Sequence, residues 1–86
     1  MELQMLALKP HVTGSRATIK AIEGERVQAV FVAADAEKRV IQPIKEACAA
    51  HGIAFTEVPS MRELGQAACL QVSAAAAAVL KSGHDN

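Results

Sequence analysis

The stretch Val27-Gln28-Ala29-Val30-Phe31-Val32-Ala33 is a near-continuous apolar run. An amphipathic surface strand would alternate apolar and polar residues. A run without that alternation predicts a strand buried on both faces, which needs a layer of structure above it and another below. The chain has 86 residues. A chain of that length forms one domain that buries roughly 60% of the surface its unfolded form exposes. The covering layers must therefore come from short helices close by in sequence.

The rest of the chain supplies them. Leu3, Leu6 and Ala7 fall at helical spacing and predict one or two opening turns. His11 to Thr13, after Pro10, is a short strand candidate. Gly14 breaks it, and Ser15 stands where a helix cap is wanted. From Ser15 to Glu23, Ile19 and Ile22 share one side, while Arg16 and Lys20 share another. Gly24 is expected to close that helix at the C′ position. After the apolar strand, Asp35 is a turn or cap residue. Val40, Ile41, Ile44, Ala47 and Cys48 mark a helix that Gly52 ends; Pro43 predicts that its main part starts near residue 43. Ile53 to Val58 is a second extended segment, and Ser60-Met61-Arg62-Glu63 has the form of a capping box. The helix it opens would bury Leu64, Ala67 and Ala68, with a loop from Cys69 to Ser73 after it.

One segment is ambiguous on local grounds. Residues 74–78 are five consecutive alanines, and alanine is the best helix former. Propensity alone makes this segment a helix, whereas the alternation of elements before it leaves room for a strand. Alternating helices and strands predict an α/β domain with a small central sheet. The chain is expected to be one domain spanning 1–86, with its core at about 5–81 and a frayed polar tail at 82–86.

Composition excludes several functions. Eighteen residues are alanine, and the only aromatics are Phe31 and Phe55, so the core is built from small aliphatic groups. Lys+Arg and Asp+Glu are both 9, giving a net charge of zero, which excludes a basic coat for arbitrary nucleic acid. Cys48 and Cys69 form no CxxC pair and suit a reducing compartment. No basic, apolar leader opens the chain, and the uncharged run from Leu64 to Leu80 is too weakly apolar to span a bilayer. The expectation is a soluble cytoplasmic protein. His11, His51, His84 and the two cysteines show no metal-ligand spacing, and nucleophile elbow, P-loop and dinucleotide motifs are absent. No enzyme, cofactor, metal or small-molecule substrate is expected.

Charge is unevenly placed, however. Between Leu3 and Ile22 there is no acid, while Lys9, Arg16 and Lys20 lie there with His11. Gly14 and Ser15 put a helix N-terminus in that stretch, where free N–H groups and the helix dipole favour an anion. Arg and Lys can also donate to guanine or to phosphate. Against this stands the reading of an ordinary amphipathic helix with solvated cations. A second feature is the uncharged loop Leu70-Gln71-Val72-Ser73, which can either cover an unstacked base or fold back on the core.

Four segments together resemble a known family: Thr13 to Ile22, Val30 to Ala36, Ala50 to Ile53, and Met61 to Cys69. In order and spacing they are similar to the kink-turn-binding ribosomal proteins, the large-subunit "L-seven-Ae" group and its L-thirty-e relatives, and most like the small bacterial YbxF-type members. The resemblance covers about residues 5 to 81. It implies a three-layer α/β/α sandwich around a four-stranded mixed sheet, and with it an extended conformation for Ala75 to Leu80. It implies a non-enzymatic protein that binds RNA kink-turns, where a bulge and tandem sheared G·A pairs bend the helix, with the ribosome, a riboswitch or another kinked RNA as the setting.

By this resemblance Gly14, Arg16, Ala17 and Lys20 occupy the positions of the family's G-x-N-E-x-x-K recognition helix. Lys20 matches, and Arg16 replaces Asn. Ala17 stands where Glu or Gln supplies a polar contact, which implies weaker or differently tuned binding. Arg16 and Lys20 would read guanines, Gly14 and Ser15 amides with Lys9 would hold phosphates, and Leu70, Gln71, Val72 and Ser73 would cover the bulged base. Cys69 takes the place of a usual Gly. The competing expectation is a protein-interaction module on the same fold that has lost kink-turn affinity, its partner surface being the Leu70–Ser73 loop. A monomer is the simplest expectation.

Overall fold

The apolar run does form the central strand. In the computed structural model, which describes residues 10–67 and 74–81, β2 spans Val27–Ala33 and pairs on both sides. The other strands are β1 (His11–Thr13), β3 (Phe55–Val58) and β4 (Ala76–Leu80), in the order β1-β4-β2-β3. β4 runs antiparallel to both of its neighbours, whereas β3 runs parallel to β2, so the sheet is mixed. Three helices are described: α1 (Ser15–Glu23), α2 (Lys38–Ala50) and α3 (Met61–Ala67). Helices α1 and α2 pack together, and α3 packs on β2, β3 and β4. The result is a three-layer α/β/α sandwich.

The alanine segment resolves as strand. Ala76, Ala77, Ala78 and Val79 are fully buried between β1 and β2. A strand flanked on both edges and covered on both faces has little room above or below it. Burial there selects small side chains and overrides helix propensity. The core that surrounds it includes Ile22, Val30, Phe31, Val32, Ile44, Cys48 and Leu64. Gln28 is the polar residue inside β2. It is exposed, at a register shift that sets Val27 opposite Leu80 and Ala29 opposite Val79. The extra residue is a β-bulge, which turns the amide out of the sheet.

The N-cap of α1 is Gly14 and not Ser15, which is the first helical residue. Two further expectations about helix ends need correction. Helix α2 begins at Lys38, well before Pro43, which lies inside it. A proline there removes one i→i−4 hydrogen bond and frees the carbonyl of Arg39. Pro43 and Arg39 are both exposed, so water can serve that carbonyl, while Ile41 and Ile44 are buried on either side of the proline. Burial of those two side chains carries the helix through. The second correction concerns α1. Gly24 has φ −82°, and the left-handed residue is Glu25, with φ 56°. Arg26 N–H donates to Ala21 C=O and Glu25 N–H to Ile22 C=O, at 3.0 and 2.9 Å. This is a Schellman closure with Glu25, not Gly24, at C′. Helix α2 closes the same way with a glycine: Ile53 N–H reaches Cys48 C=O at 2.8 Å, and Gly52 has φ 66°.

Candidate nucleic-acid interface

The start of α1 is held by the sheet. Gly14 N–H donates to the Ala76 carbonyl at 2.8 Å, just beyond the pairing of Thr13 with Ala77. Gly14 then turns the chain with φ 94° and ψ 151°. That region is open essentially to glycine alone. Among the described residues a Cβ at Gly14 would meet nothing within 4 Å, so the constraint seen there is torsional. The Gly14 carbonyl accepts the first helical bond, from Thr18 N–H at 3.0 Å.

Having no side chain, Gly14 caps none of the first N–H groups, and no acid lies in the first turn. Arg16 is there instead, exposed, with Lys20 one turn further on and also exposed. Among the described residues neither cation has an ion-pair or hydrogen-bond partner. Ser15 and Ala17 are half-buried beside them. A cation at the positive end of a helix dipole is unfavourable by a few tenths of a kcal/mol up to about 1 kcal/mol. The arrangement is suited to an arriving anion, which would meet amides, dipole and guanidinium together.

The contrast with α3 sharpens this. Its N-terminus carries Ser60, whose Oγ accepts Glu63 N–H at 3.1 Å, the main half of the capping box. Glu63 lies in its first turn, and the Asp35 carboxylate accepts Met61 N–H at 2.8 Å. The sequence marked Asp35 only as a turn or cap residue. Its client is 26 positions away, a distance that local pattern does not reveal.

Lys9, Leu70, Gln71, Val72 and Ser73, which the sequence singled out with the α1 residues, lie outside the described residues, as do Ala68, Cys69, the opening helical turns and the tail at 82–86. Among the described residues, no group of three or more His, Cys, Asp or Glu is placed to hold a metal ion. No described helix is long and apolar enough to cross a membrane. At the other end of α1, Glu25, Val27, His51, Ile53 and Lys81 line a cleft of about 190 Å³, where His51 Nδ1 and Glu25 Oε2 stand 3.5 Å apart.

Fold and site define a class: a small α/β/α domain that presents an uncapped, basic helix start at one end of its sheet. The chain belongs to the Ribosomal protein L7Ae/L30e/S12e/Gadd45 family, whose model matches residues 4–86. An RNA-binding protein of Caldanaerobacter subterraneus subsp. tengcongensis is 42% identical over 67 residues, covering 78% of this chain and 82% of that one. The RNA-binding protein YbxF of Geobacillus stearothermophilus is 37% identical over 70 residues, covering 81% and 85%. The large ribosomal subunit protein eL8 of Halobacterium salinarum is 41% identical over 71 residues, covering 81% of this chain and 59% of that protein. Among solved structures, the Giardia lamblia 15.5kD RNA binding protein superposes with a TM-score of 0.86 at 24% identity, covering 98% of this chain and 72% of that one. That last likeness is one of fold.

Proposed function

We propose that this chain is a non-enzymatic RNA-binding protein that recognises kink-turn RNA through the start of α1. The carrying observation is the bare N-terminus of that helix. Gly14 starts it without a side-chain cap, no acid lies in its first turn, and Arg16 adds a positive charge there at a cost in helix stability. Membership of a family with RNA-binding and ribosomal members supports the same reading.

In this reading Arg16 and Lys20 donate to guanines of the sheared pairs, and the amides at Gly14 and Ser15, with Lys9, hold phosphates. Leu70, Gln71, Val72 and Ser73 pack against the bulged base. By the resemblance, Ala17 offers a methyl where the G-x-N-E-x-x-K pattern has a polar side chain, and binding is weaker or differently tuned for it. Zero net charge fits recognition of one bent shape better than coating of any duplex. The protein acts in the cytoplasm, as a monomer, on structured RNA that includes ribosomal RNA among its candidates.

The test is affinity for a kink-turn duplex in Arg16→Ala and Lys20→Ala variants. Each should weaken binding by about 1–3 kcal/mol, the worth of one good base contact. Both should keep the far-ultraviolet circular dichroism of the parent, because both side chains are exposed. Unchanged affinity in both variants would overturn the mechanism.

A further inference from the structure

The strand order leaves β3 at an edge of the sheet. Its four residues pair with Val30 to Ala33 of β2 in unbroken parallel register. Ala34 N–H donates to the Val58 carbonyl at 2.7 Å, so Val58 turns its backbone groups towards β2. Backbone direction alternates along a strand, which turns the groups of Thr56 inward as well and those of Phe55 and Glu57 outward. Phe55 and Glu57 thus offer two N–H groups and two carbonyls that no described residue meets.

Natural sheets guard such edges with a proline, a bulge or an uncompensated charge. The strand from Phe55 to Val58 has no proline and no bulge, and its one charge, Glu57, is met by Lys45 Nζ at 3.4 Å. The same Nζ stands 5.5 Å from the centre of the Phe55 ring. Lys45 belongs to α2, so Lys45, Phe55 and Glu57 share the α2 side of the strand. Among the described residues Phe55 is the large apolar side chain left exposed, at 37%.

We propose that this edge pairs antiparallel with the same edge of a second copy of the chain. One register fits. With Thr56 opposite Thr56, Phe55 of each copy faces Glu57 of the other, and the outward groups exchange two hydrogen bonds at each of these pairs. Each Glu57 then lies across from a ring beneath Lys45, so opposite charges alternate around the two-fold axis. The two rings become diagonal neighbours about 7–8 Å apart, within aromatic reach. Centring the pair on Phe55 would set Glu57 against Ile53, whose N–H already donates to the Cys48 carbonyl at 2.8 Å. Centring it on Glu57 would oppose two like charges and set Phe55 against Pro59, which has no N–H.

A four-residue strand buries far less than the roughly 800 Å² per partner of a standard interface. The pairing is therefore weak: the dilute chain is a monomer and the concentrated chain a dimer. It does not depend on the RNA reading. β1, which leads into α1, forms the opposite edge of the sheet, so the pair leaves the start of each α1 free.

The experiment is sedimentation equilibrium of the full chain from micromolar to millimolar concentration, with interference optics because the chain has no Trp or Tyr. The mean mass of the parent should rise from that of one chain towards that of two. Lys45→Glu and Glu57→Lys should each remain single chains with the parent's circular dichroism, since each surrounds the axis with like charges. A mixture of these two variants should associate, since opposite charges then meet again. Amide exchange checks the parent without substitution: the Phe55 and Glu57 amides should slow at high concentration, while those of Thr56 and Val58 are protected throughout. A parent that stays a single chain at millimolar concentration overturns the inference. So does a dimer that both single variants form as readily as the parent, which places the contact on another face. Phe55 and Glu57 amides that exchange equally fast at both concentrations overturn it too.

Discussion

The Asp35 carboxylate accepts a hydrogen bond from the Met61 backbone N–H at 2.8 Å, across 26 positions of sequence. Asp35 sits in the turn that leaves β2, and Met61 is the first residue of α3, so one bond fixes the helix start to the end of the central strand. It also places a negative charge at the positive end of α3, where it is favourable.

Replacing Asp35 by Ala removes that cap. The expected loss is about 1 kcal/mol, as for other helix caps. For a chain this size that lowers the melting temperature by about 4–8 °C. Asp35→Asn, whose amide oxygen can still accept, should lose less. Thermal melts followed by circular dichroism check this, and equal losses in the two variants would show that the acceptor is not what matters.

Glu25 carries the left-handed conformation at the end of α1, while the adjacent glycine does not use it. A left-handed residue with a Cβ is strained by about 1 kcal/mol relative to glycine. Glu25→Gly should therefore raise stability by up to about 1 kcal/mol, reduced by the extra freedom of the unfolded chain and by loss of the contact with His51. Gly14→Ala, forced to φ 94°, should destabilise although no described residue lies within 4 Å of the added Cβ. Urea denaturation of both variants separates them. A loss of stability in Glu25→Gly would contradict the Schellman assignment.

Cys48 is 1% exposed, and burial pushes its thiol above the ordinary value of 9.0. The folded state therefore holds the proton more tightly than the unfolded chain. The resulting stability is fully present below the unfolded pKa and is lost as pH rises through the folded one. Stability should fall with pH above about 9. Cys48→Ala should flatten that alkaline fall relative to the parent, at the cost of a small cavity. Parallel pH profiles from pH 8 to 10.5 for the two proteins would contradict it.

The elements were largely legible in the residues because their signals are local. The Val27–Ala33 run, the Ser60–Glu63 box and Gly52 each act within a few positions. The bounds of α1 follow from Gly14 and the spacing of Ile19 and Ile22. What local reading missed depends on tertiary burial. Pro43 argues against a helix that Ile41 and Ile44 hold together by packing. The alanines of β4 favour helix until a covered sheet is allowed for, and the family resemblance supplied that context. Arg16 and Lys20 were visible as a run of bases without acids.

The central claim, that this chain folds and holds a kink-turn, is tested most directly by energy transfer. A duplex with a bulge and tandem sheared G·A pairs is labelled at both ends and titrated with the protein in buffer without Mg²⁺, beside a control duplex lacking the G·A pairs. The account predicts that transfer rises for the kink-turn alone, and that Ala17→Glu raises it at lower protein concentration. No response from either duplex at micromolar protein, or an equal response from both, would contradict it.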